Sequence, residues 1–384
     1  MNIASSSRES LLRLEHIDML RGVASLLVLC GHLRSFIFVN FGAAANPGMF
    51  TKVFYGLTSL GHQSVVIFFA MSGFLVGGKA LEDMFAQRWS WSRYLLRRLT
   101  RLLIVVVPAL VLTGLFDFIG ITLTEGRGYD GSLYDIYASG PSLEKPLNYS
   151  VTTFLGNVAF LQTIYTPIFG TNAPMWSLAN EFWYYVVFPL TTTIFLVPSP
   201  IGQRLLTIGF LALCLMFLPS WLLEGGLIWV AGAGAARLTK LSRFTPWLSR
   251  HSVRAAALLA VVMTLVISKS NPNMPDLVFG LVVAGGLPAI AFMPSFGDAY
   301  RTAARSVAEL SYSLYLTHFP FLALIVLTVF APHQFQPGML GTMVYAGLFC
   351  AAIAWAATVW WCFERNTDRA FDYISARLLP PTLT

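Results

Sequence analysis

The residues of this sequence with the clearest chemical potential are ionisable side chains inside long apolar runs. The first run, from Ile17 to Val39, carries Arg21 and His32 eleven positions apart. A membrane span holds such groups at a cost in free energy unless they face protein or water. On one helix they are about 16 Å apart along the axis and roughly 20° apart in rotation. The spacing therefore predicts a cation near one end of a passage and a titratable imidazole deeper on the same face.

A second pair of candidate functional residues, Arg98 and Arg101, lies at the start of another apolar run. They stand three positions apart and so share one helix face. A role in orienting the chain in the membrane explains Arg101 poorly, because an unbroken apolar run follows it directly. Guanidinium groups bind phosphate through paired hydrogen bonds. The pair therefore predicts a site for a polyanion at one mouth of a helical bundle.

Glu181 and His318 are further ionisable groups deep in apolar segments. Glu181 lies five residues past Trp176, and His318 lies nine residues past Glu309. Ionisable groups at such depth are more often functional than structural. The structural alternatives are an acid among interfacial aromatic residues and an imidazole bonded to a neighbouring hydroxyl. With His32 at a comparable depth, the three side chains are predicted to meet in one cavity.

The composition indicates that membrane helices position these groups. Of 384 residues, 56% are hydrophobic and 11% charged, against about 25% charged in soluble domains. The formal charge of +7 does not indicate nucleic-acid binding, because the basic residues occupy short loops. Membrane lipids are the expected surroundings of the chain. The four cysteines lack the spacing of metal ligands, so we predict no metal site. One membrane domain, 17–369, is expected between a cytoplasmic segment, 1–16, and a cytoplasmic tail, 370–384.

The apolar runs predict an all-α integral membrane protein with about ten transmembrane helices. A shorter run, 151–165, is followed by proline and glycine, which favours a re-entrant or interfacial helix. Ser72 and Gly73 are small residues, so their predicted role is close helix packing. The predicted spans are 17–39, 55–77, 95–119, 176–197, 203–219, 226–238, 254–268, 276–293, 309–330 and 339–363.

The distribution of basic residues predicts that both chain termini lie in the cytoplasm. Lysine and arginine favour cytoplasmic loops. They are concentrated in 79–101 and 237–254, whereas the long loop 120–150 carries more acids than bases. This orientation puts Arg21 near the cytoplasmic end of the first span and His32 in its outer half.

Six motifs, in order, resemble the membrane-bound acyltransferase-3 family of bacterial enzymes, which acylate extracytoplasmic glycans and related glycosides. The resemblance covers residues 17 to about 369. The motifs are IDMLRGVASLLVLCGH, FFAMSGFLV, RRLTR, MWSLANEFWYYVVFP, ELSYSLYLTHFP and CFERNTDR. The first contains the family's arginine–ten residues–histidine pair as Arg21 and His32. The third contains its arginine–two residues–arginine element as Arg98 and Arg101.

The resemblance implies a multi-pass O-acyltransferase of the bacterial inner membrane. The donor would be acyl-CoA, most commonly acetyl-CoA, with no permanently bound cofactor. The acceptor would be a hydroxyl of a carbohydrate or lipid-linked glycan. Arg98 and Arg101, together with Arg21, would hold the donor's phosphates at the cytoplasmic mouth.

The resemblance also assigns His32 as the catalytic residue. An unperturbed imidazole has a pKa of about 6.5 and takes up a proton readily in its neutral form. A general base and a transient acyl-histidine are both open as its role. Glu181 and His318 would orient the acceptor or the histidine. The family often has two adjacent acids near Glu181, but this chain has Asn180 there.

A proton-coupled transporter of a small polar or anionic solute is the alternative function. Buried histidine, glutamate and arginine also suit a carrier. Transporters often contain two related halves, and no such pairing is apparent in the sequence. A non-catalytic membrane scaffold would leave the ionisable groups within the spans without a role.

Overall fold

The computed structural model describes residues 14–137 and 140–379 as helices joined by short irregular segments. Within these ranges only isolated β-bridges occur, without extended strands. The helices are α1 (Leu14–Ile37), α2 (Met49–Thr58), α3 (Gly61–Ser72), α4 (Gly78–Phe85), α5 (Trp91–Thr124), α6 (Val151–Val158), α7 (Trp176–Leu196), α8 (Ile201–Phe217), α9 (Ser220–Thr239), α10 (Thr245–Leu248), α11 (His251–Ser270), α12 (Asp276–Ala291), α13 (Asp298–Val329), α14 (Met339–Cys362) and α15 (Thr367–Leu378). A π-helical turn, Gly73–Gly77, joins α3 to α4.

Each of the ten predicted spans overlaps one or more of these helices. Six helical segments of the described chain are long and apolar enough to cross a membrane: Leu14–Ile37, Met49–Phe85, Trp91–Thr124, His251–Ser270, Asp298–Val329 and Met339–Leu378. The helices α8 and α12 are apolar but shorter than these. The all-α architecture is therefore confirmed. The count of ten spans and the cytoplasmic location of both termini stay predictions.

The outward-facing side chains of several helices are apolar. In α11, the exposed side chains include Leu259, Val262, Met263 and Val266, which follow a helical spacing. A contiguous apolar surface of this kind is rare on soluble monomers. It is the surface expected where lipid replaces water as the solvent of the helix.

The described residues fall into two compact units whose segments alternate along the chain. The first unit contains 14–24, 63–95 and 180–309. Trp229 of α9 is fully buried at its core. A Cβ atom at Gly73 or Gly77 would overlap Trp229, so these glycines let the π-helical turn pack directly on α9. The predicted packing role of Gly73 is confirmed.

The second unit contains 25–62, 96–179 apart from 138 and 139, and 310–379. Its core joins one face of α1 to α13. Leu29, Leu33 and Phe36 are four and three positions apart and therefore lie on one side of α1. The Phe36 ring packs against Phe319 of α13 with ring centroids 5.2 Å apart. This apolar contact aligns the two helices that carry His32 and His318.

The predicted short membrane segment, 151–165, contains α6 and an irregular return. The Ser150 hydroxyl caps α6 by accepting a hydrogen bond from the Thr153 backbone N–H. Asn157 is fully buried and bonds the backbone of the returning loop. Asp117 of α5 then accepts hydrogen bonds from the backbone N–H and hydroxyl of Thr171 at 2.8 and 2.7 Å. A short helix is thus present, and its depth in the membrane stays a prediction.

Candidate active site

The second unit brings His32 of α1 and His318 of α13 into direct contact. The Nε2 atom of His318 lies 3.2 Å from Nδ1 of His32, and the two rings stack with centroids 5.2 Å apart. Phe319 packs edge-on against the His32 ring at 5.0 Å. His318 is 1% exposed, whereas His32 is half-buried. Two residues predicted as catalytic therefore form one pair, and the more accessible ring is that of His32.

The hydrogen bonds of His318 determine which nitrogen of His32 is available. Nδ1 of His318 lies 2.7 Å from the carbonyl oxygen of Leu314, and a carbonyl only accepts, so Nδ1 carries the proton. In neutral His318, Nε2 then accepts a hydrogen bond from Nδ1–H of His32. Neutral His32 has no proton on its remaining nitrogen, Nε2. The pair thus presents Nε2 of His32 as a proton acceptor or nucleophile.

A proline positions polar groups beside this pair. Pro320 has no N–H, so the carbonyl of Leu316 one turn earlier lacks its helical donor. Asn172 supplies a donor instead, with its Nδ2 atom 2.8 Å from the Leu316 oxygen and 3.1 Å from Thr113 Oγ1. Asn172 is fully buried. The segment before α7 is therefore bonded to α13 two residues from His318.

Glu364 connects Arg101 to the same helix. One oxygen of Glu364 accepts from the backbone N–H and the hydroxyl of Ser313 at 3.1 and 2.6 Å. The other lies 3.3 Å from Arg101 Nη2. A buried carboxylate needs such partners, and Glu364 is only 4% exposed. The Arg101 side chain remains 39% exposed, which leaves guanidinium donors accessible to a ligand. Arg98 lies one turn earlier on α5 and is half-buried.

Glu181 lies in the first unit, at the N-terminal end of α7. Its Oε1 atom accepts a 2.8 Å hydrogen bond from Ser72 and a short one from Tyr185, one helical turn along α7. The indole N–H of Trp229 donates to the Ser72 oxygen at 3.1 Å. Among the described residues, no hydrogen bond reaches Oε2 of Glu181. One carboxylate oxygen thus accepts two hydrogen bonds, and the other retains its capacity to accept. A meeting of Glu181 with the two histidines stays a prediction.

Arg21 also lies in the first unit, on the cytoplasmic half of α1 in the predicted orientation. Its guanidinium forms an ion pair with Asp18, one turn earlier, at 3.3 Å. The two side chains line a cavity of about 430 Å³ with Glu15, Arg301, Arg305 and Glu309. The continuous helix α1 carries both Arg21 and His32, as their spacing predicted.

Three polar residues of these clusters were not predicted from the sequence. Asp117 stands in the apolar run LTGLFDFIGIT, and its burial could have been suspected from that position. Glu364 directly follows the last long apolar run, which is a weaker signal. Ser72 was predicted only to pack, and its hydrogen-bonding role was missed: its hydroxyl bridges Glu181 and Trp229. The residue pairs that reveal these roles are distant in sequence.

Comparison with known proteins agrees with the motifs. A family model described as an acyltransferase domain matches residues 14–361. The acyltransferase MdmB of Streptomyces mycarofaciens is 28% identical over 181 residues, which are 46% of this chain and 39% of that protein. The matched segment therefore spans well under half of this relative. No solved structure shows significant similarity. Because the family match extends from the first described helix to the end of α14, the chain belongs to the membrane-bound acyltransferase-3 family.

Proposed function

We propose that this protein is an O-acyltransferase of the bacterial cytoplasmic membrane. It would move an acyl group from cytoplasmic acyl-CoA to a hydroxyl of an extracytoplasmic glycan or glycoside. The contact between His32 and His318 carries the proposal, because it leaves Nε2 of the more accessible imidazole unprotonated. Acylation of a hydroxyl by a thioester requires a base of this kind. The name of the relative MdmB, an acyltransferase, supports the reaction class.

In the proposed reaction, His32 Nε2 removes the proton of the acceptor hydroxyl as the hydroxyl oxygen attacks the thioester carbonyl carbon. The new C–O bond forms, the C–S bond breaks, and the proton passes from His32 to the departing thiolate. His318 holds the His32 ring through the Nδ1 hydrogen bond. Transfer through an acyl group on Nε2 of His32 is the competing route, and it uses the same nitrogen.

Donor and acceptor are proposed to contact different residues. Arg98 and Arg101, with Arg21, would bind the phosphates of acyl-CoA on the cytoplasmic side, and the exposed part of Arg101 supports this role. Acetyl-CoA is the proposed donor. Glu181 would orient the acceptor, since its Oε2 atom is available to accept a hydrogen bond from a sugar hydroxyl.

The proposal is tested with purified protein, radiolabelled acetyl-CoA and an oligosaccharide acceptor. We expect label in ester linkage to the acceptor, and His32→Ala should lower the transfer rate by about 10²- to 10⁴-fold because it removes the base. His333→Ala is the matched control, because this histidine is exposed in a loop. Near-normal transfer by a folded His32→Ala protein would contradict the assigned role of His32. Movement of a solute across liposomes without covalent transfer would instead indicate a transporter.

A further inference from the structure

A second cavity of the first unit lies between the π-helical turn and the end of α9. It measures about 340 Å³. Its apolar lining comes from Leu14, Phe74, Leu75 and Ala236, and Gly78 of α4 lets that helix pack closely against Ala236. Its polar lining consists of Lys79, Glu82, Arg237, Thr239 and Lys240. The cavity thus combines aliphatic and aromatic walls with three cations and one carboxylate.

The positive charge of this cavity is only partly compensated. Lys79 is held by Asp83 at 2.9 Å, and Glu82 lies between Lys79 and Lys240 at 3.9 and 3.7 Å. No carboxylate pairs with Arg237 in the part of the chain that the structure describes. Its guanidinium stacks on the ring of Phe85, with Cζ 4.1 Å from the centroid. Stacking occupies the face of a guanidinium and leaves its edge N–H groups directed outward, in the geometry that phosphate accepts.

The neighbouring cavity around Arg21 differs from this one in how its arginine side chains are paired. There each arginine has a carboxylate partner: Arg21 pairs with Asp18, Arg305 with Glu309, and Arg301 with Glu15. Those cations share their charge with carboxylates, so each, including Arg21, would attract an anion less strongly than an unpaired guanidinium. Leu14 lines both cavities. Of the two, the cavity with Arg237 has the greater capacity to bind an anion.

We propose that this cavity binds a phosphate group joined to a flexible, uncharged chain, with Arg237 and Lys240 as the principal ligands. The apolar walls would receive the chain and the cations the phosphate. In the predicted orientation the cavity opens to the cytoplasm. The identity of the ligand rests on the proposed function: it is a phosphate of acyl-CoA next to its pantetheine arm. The headgroup of an anionic phospholipid offers the same chemistry.

The test is titration of coenzyme A into the full chain in nanodiscs of phosphatidylcholine. Arg237→Gln should weaken binding about tenfold or more, as expected for loss of a charge-assisted contact. Arg237→Lys should weaken it less, and Lys240→Gln, on an exposed side chain, should also weaken it. Arg243→Gln is the matched control, because that arginine stacks on Phe244 outside the cavity. In a parallel experiment, native mass spectrometry measures how much phosphatidylglycerol each variant retains.

The outcomes of the two measurements distinguish acyl-CoA from an anionic phospholipid as the ligand. Weaker coenzyme A binding with unchanged phosphatidylglycerol retention supports a donor site, and the reverse supports a phospholipid site. Unchanged binding of both probes in Arg237→Gln and Lys240→Gln overturns the proposal. If the wild type transfers acetyl groups while Arg237→Gln binds both probes normally, only the cavity proposal fails. If coenzyme A binding depends on Arg237 but no acetyl transfer occurs, only the proposed function fails.

Discussion

A hydrogen bond couples the two histidines, because it uses one ring nitrogen of each. Leu314 sets the proton on His318, and His318 in turn sets the proton on His32. A lone half-buried imidazole would exchange between its two neutral tautomers. The pair selects one of them and also restrains the ring. His318 is therefore a positioning residue, and His32 is the residue expected to meet the reacting atoms.

This division predicts different effects for two substitutions of His318. His318→Leu removes the acceptor for His32 Nδ1–H and should lower kcat about 10²-fold. His318→Gln places an amide oxygen near the position of Nε2 and should recover much of that loss, because the oxygen accepts the same hydrogen bond. The KM for acetyl-CoA should stay near the wild-type value in both. Steady-state rates with purified proteins provide the measurement.

Thr317→Val is the control for these variants. Thr317 is equally buried, and among the described residues its hydroxyl bonds only the Ser313 carbonyl in its own helix. We expect its kcat to remain close to that of the wild type. If His318→Gln were as slow as His318→Leu while both proteins stayed folded, hydrogen-bond acceptance would not be the role of His318.

At the scale of elements, α13 is held by side chains that replace or supplement its own hydrogen bonds. Asn172 satisfies the carbonyl that Pro320 leaves without a donor. Glu364 bonds the helix at Ser313, on the other side of His318 in sequence. Both bonds come from segments far away in sequence. The helix that carries His318 is therefore restrained both before and after the histidine.

Glu364→Gln tests the contribution of this restraint to stability. Glutamine can still accept from Ser313 but cannot pair ionically with Arg101, so the free energy of unfolding should fall by about 1–3 kcal/mol. Thermal unfolding in detergent would show a lower midpoint than the wild type. The acyl-CoA KM should rise if the ion pair also positions Arg101 for the donor.

Asp368→Asn provides the comparison for that experiment. Asp368 pairs with Arg97 at 3.7 Å but is 85% exposed, so its loss should change stability by less than about 0.5 kcal/mol. Equal midpoints for the wild type and Glu364→Gln would show that the buried carboxylate does not stabilise α13. A large effect of Asp368→Asn alone would assign the stability to the surface pair instead.

For the whole molecule, the predicted orientation in the membrane rests on the distribution of charge, and it decides which substrate would reach which residue. If the basic segments 79–101 and 237–254 face the cytoplasm, Arg98 and Arg101 would meet the proposed cytoplasmic donor. A reporter enzyme that is active only outside the cytoplasm, fused after Thr384, should then give no signal. The same reporter inserted after Thr124, in the loop that follows α5, should be active.

The reverse pattern of reporter signals would invert this topology. The donor would then have to be extracytoplasmic, and the proposed direction of acyl transfer would fail. The reaction chemistry of His32 would be unaffected, because its contact with His318 does not depend on orientation. Reporter activity measured in intact cells and corrected for expression of each fusion separates these cases.

The amino-acid sequence by itself determined the class of the protein and most of its candidate residues. Long apolar runs require helices, since only internally bonded backbone is stable in lipid. Charged and titratable groups inside those runs are costly, so Arg21, His32, Glu181 and His318 stood out by position alone. The ordered motifs indicated the family, which the match over residues 14–361 confirmed.

Only the tertiary structure decided which of these groups are partners. His32 and His318 are 286 positions apart, and no periodicity within either helix indicates that their rings touch. The same holds for Glu364 with Ser313 and for Ser72 with Glu181. Apolar patterns specify which face of a helix is buried, but many helix pairings satisfy them equally well. Specific close contacts, such as Gly73 on Trp229 and Phe36 on Phe319, select one pairing and thereby create the polar clusters.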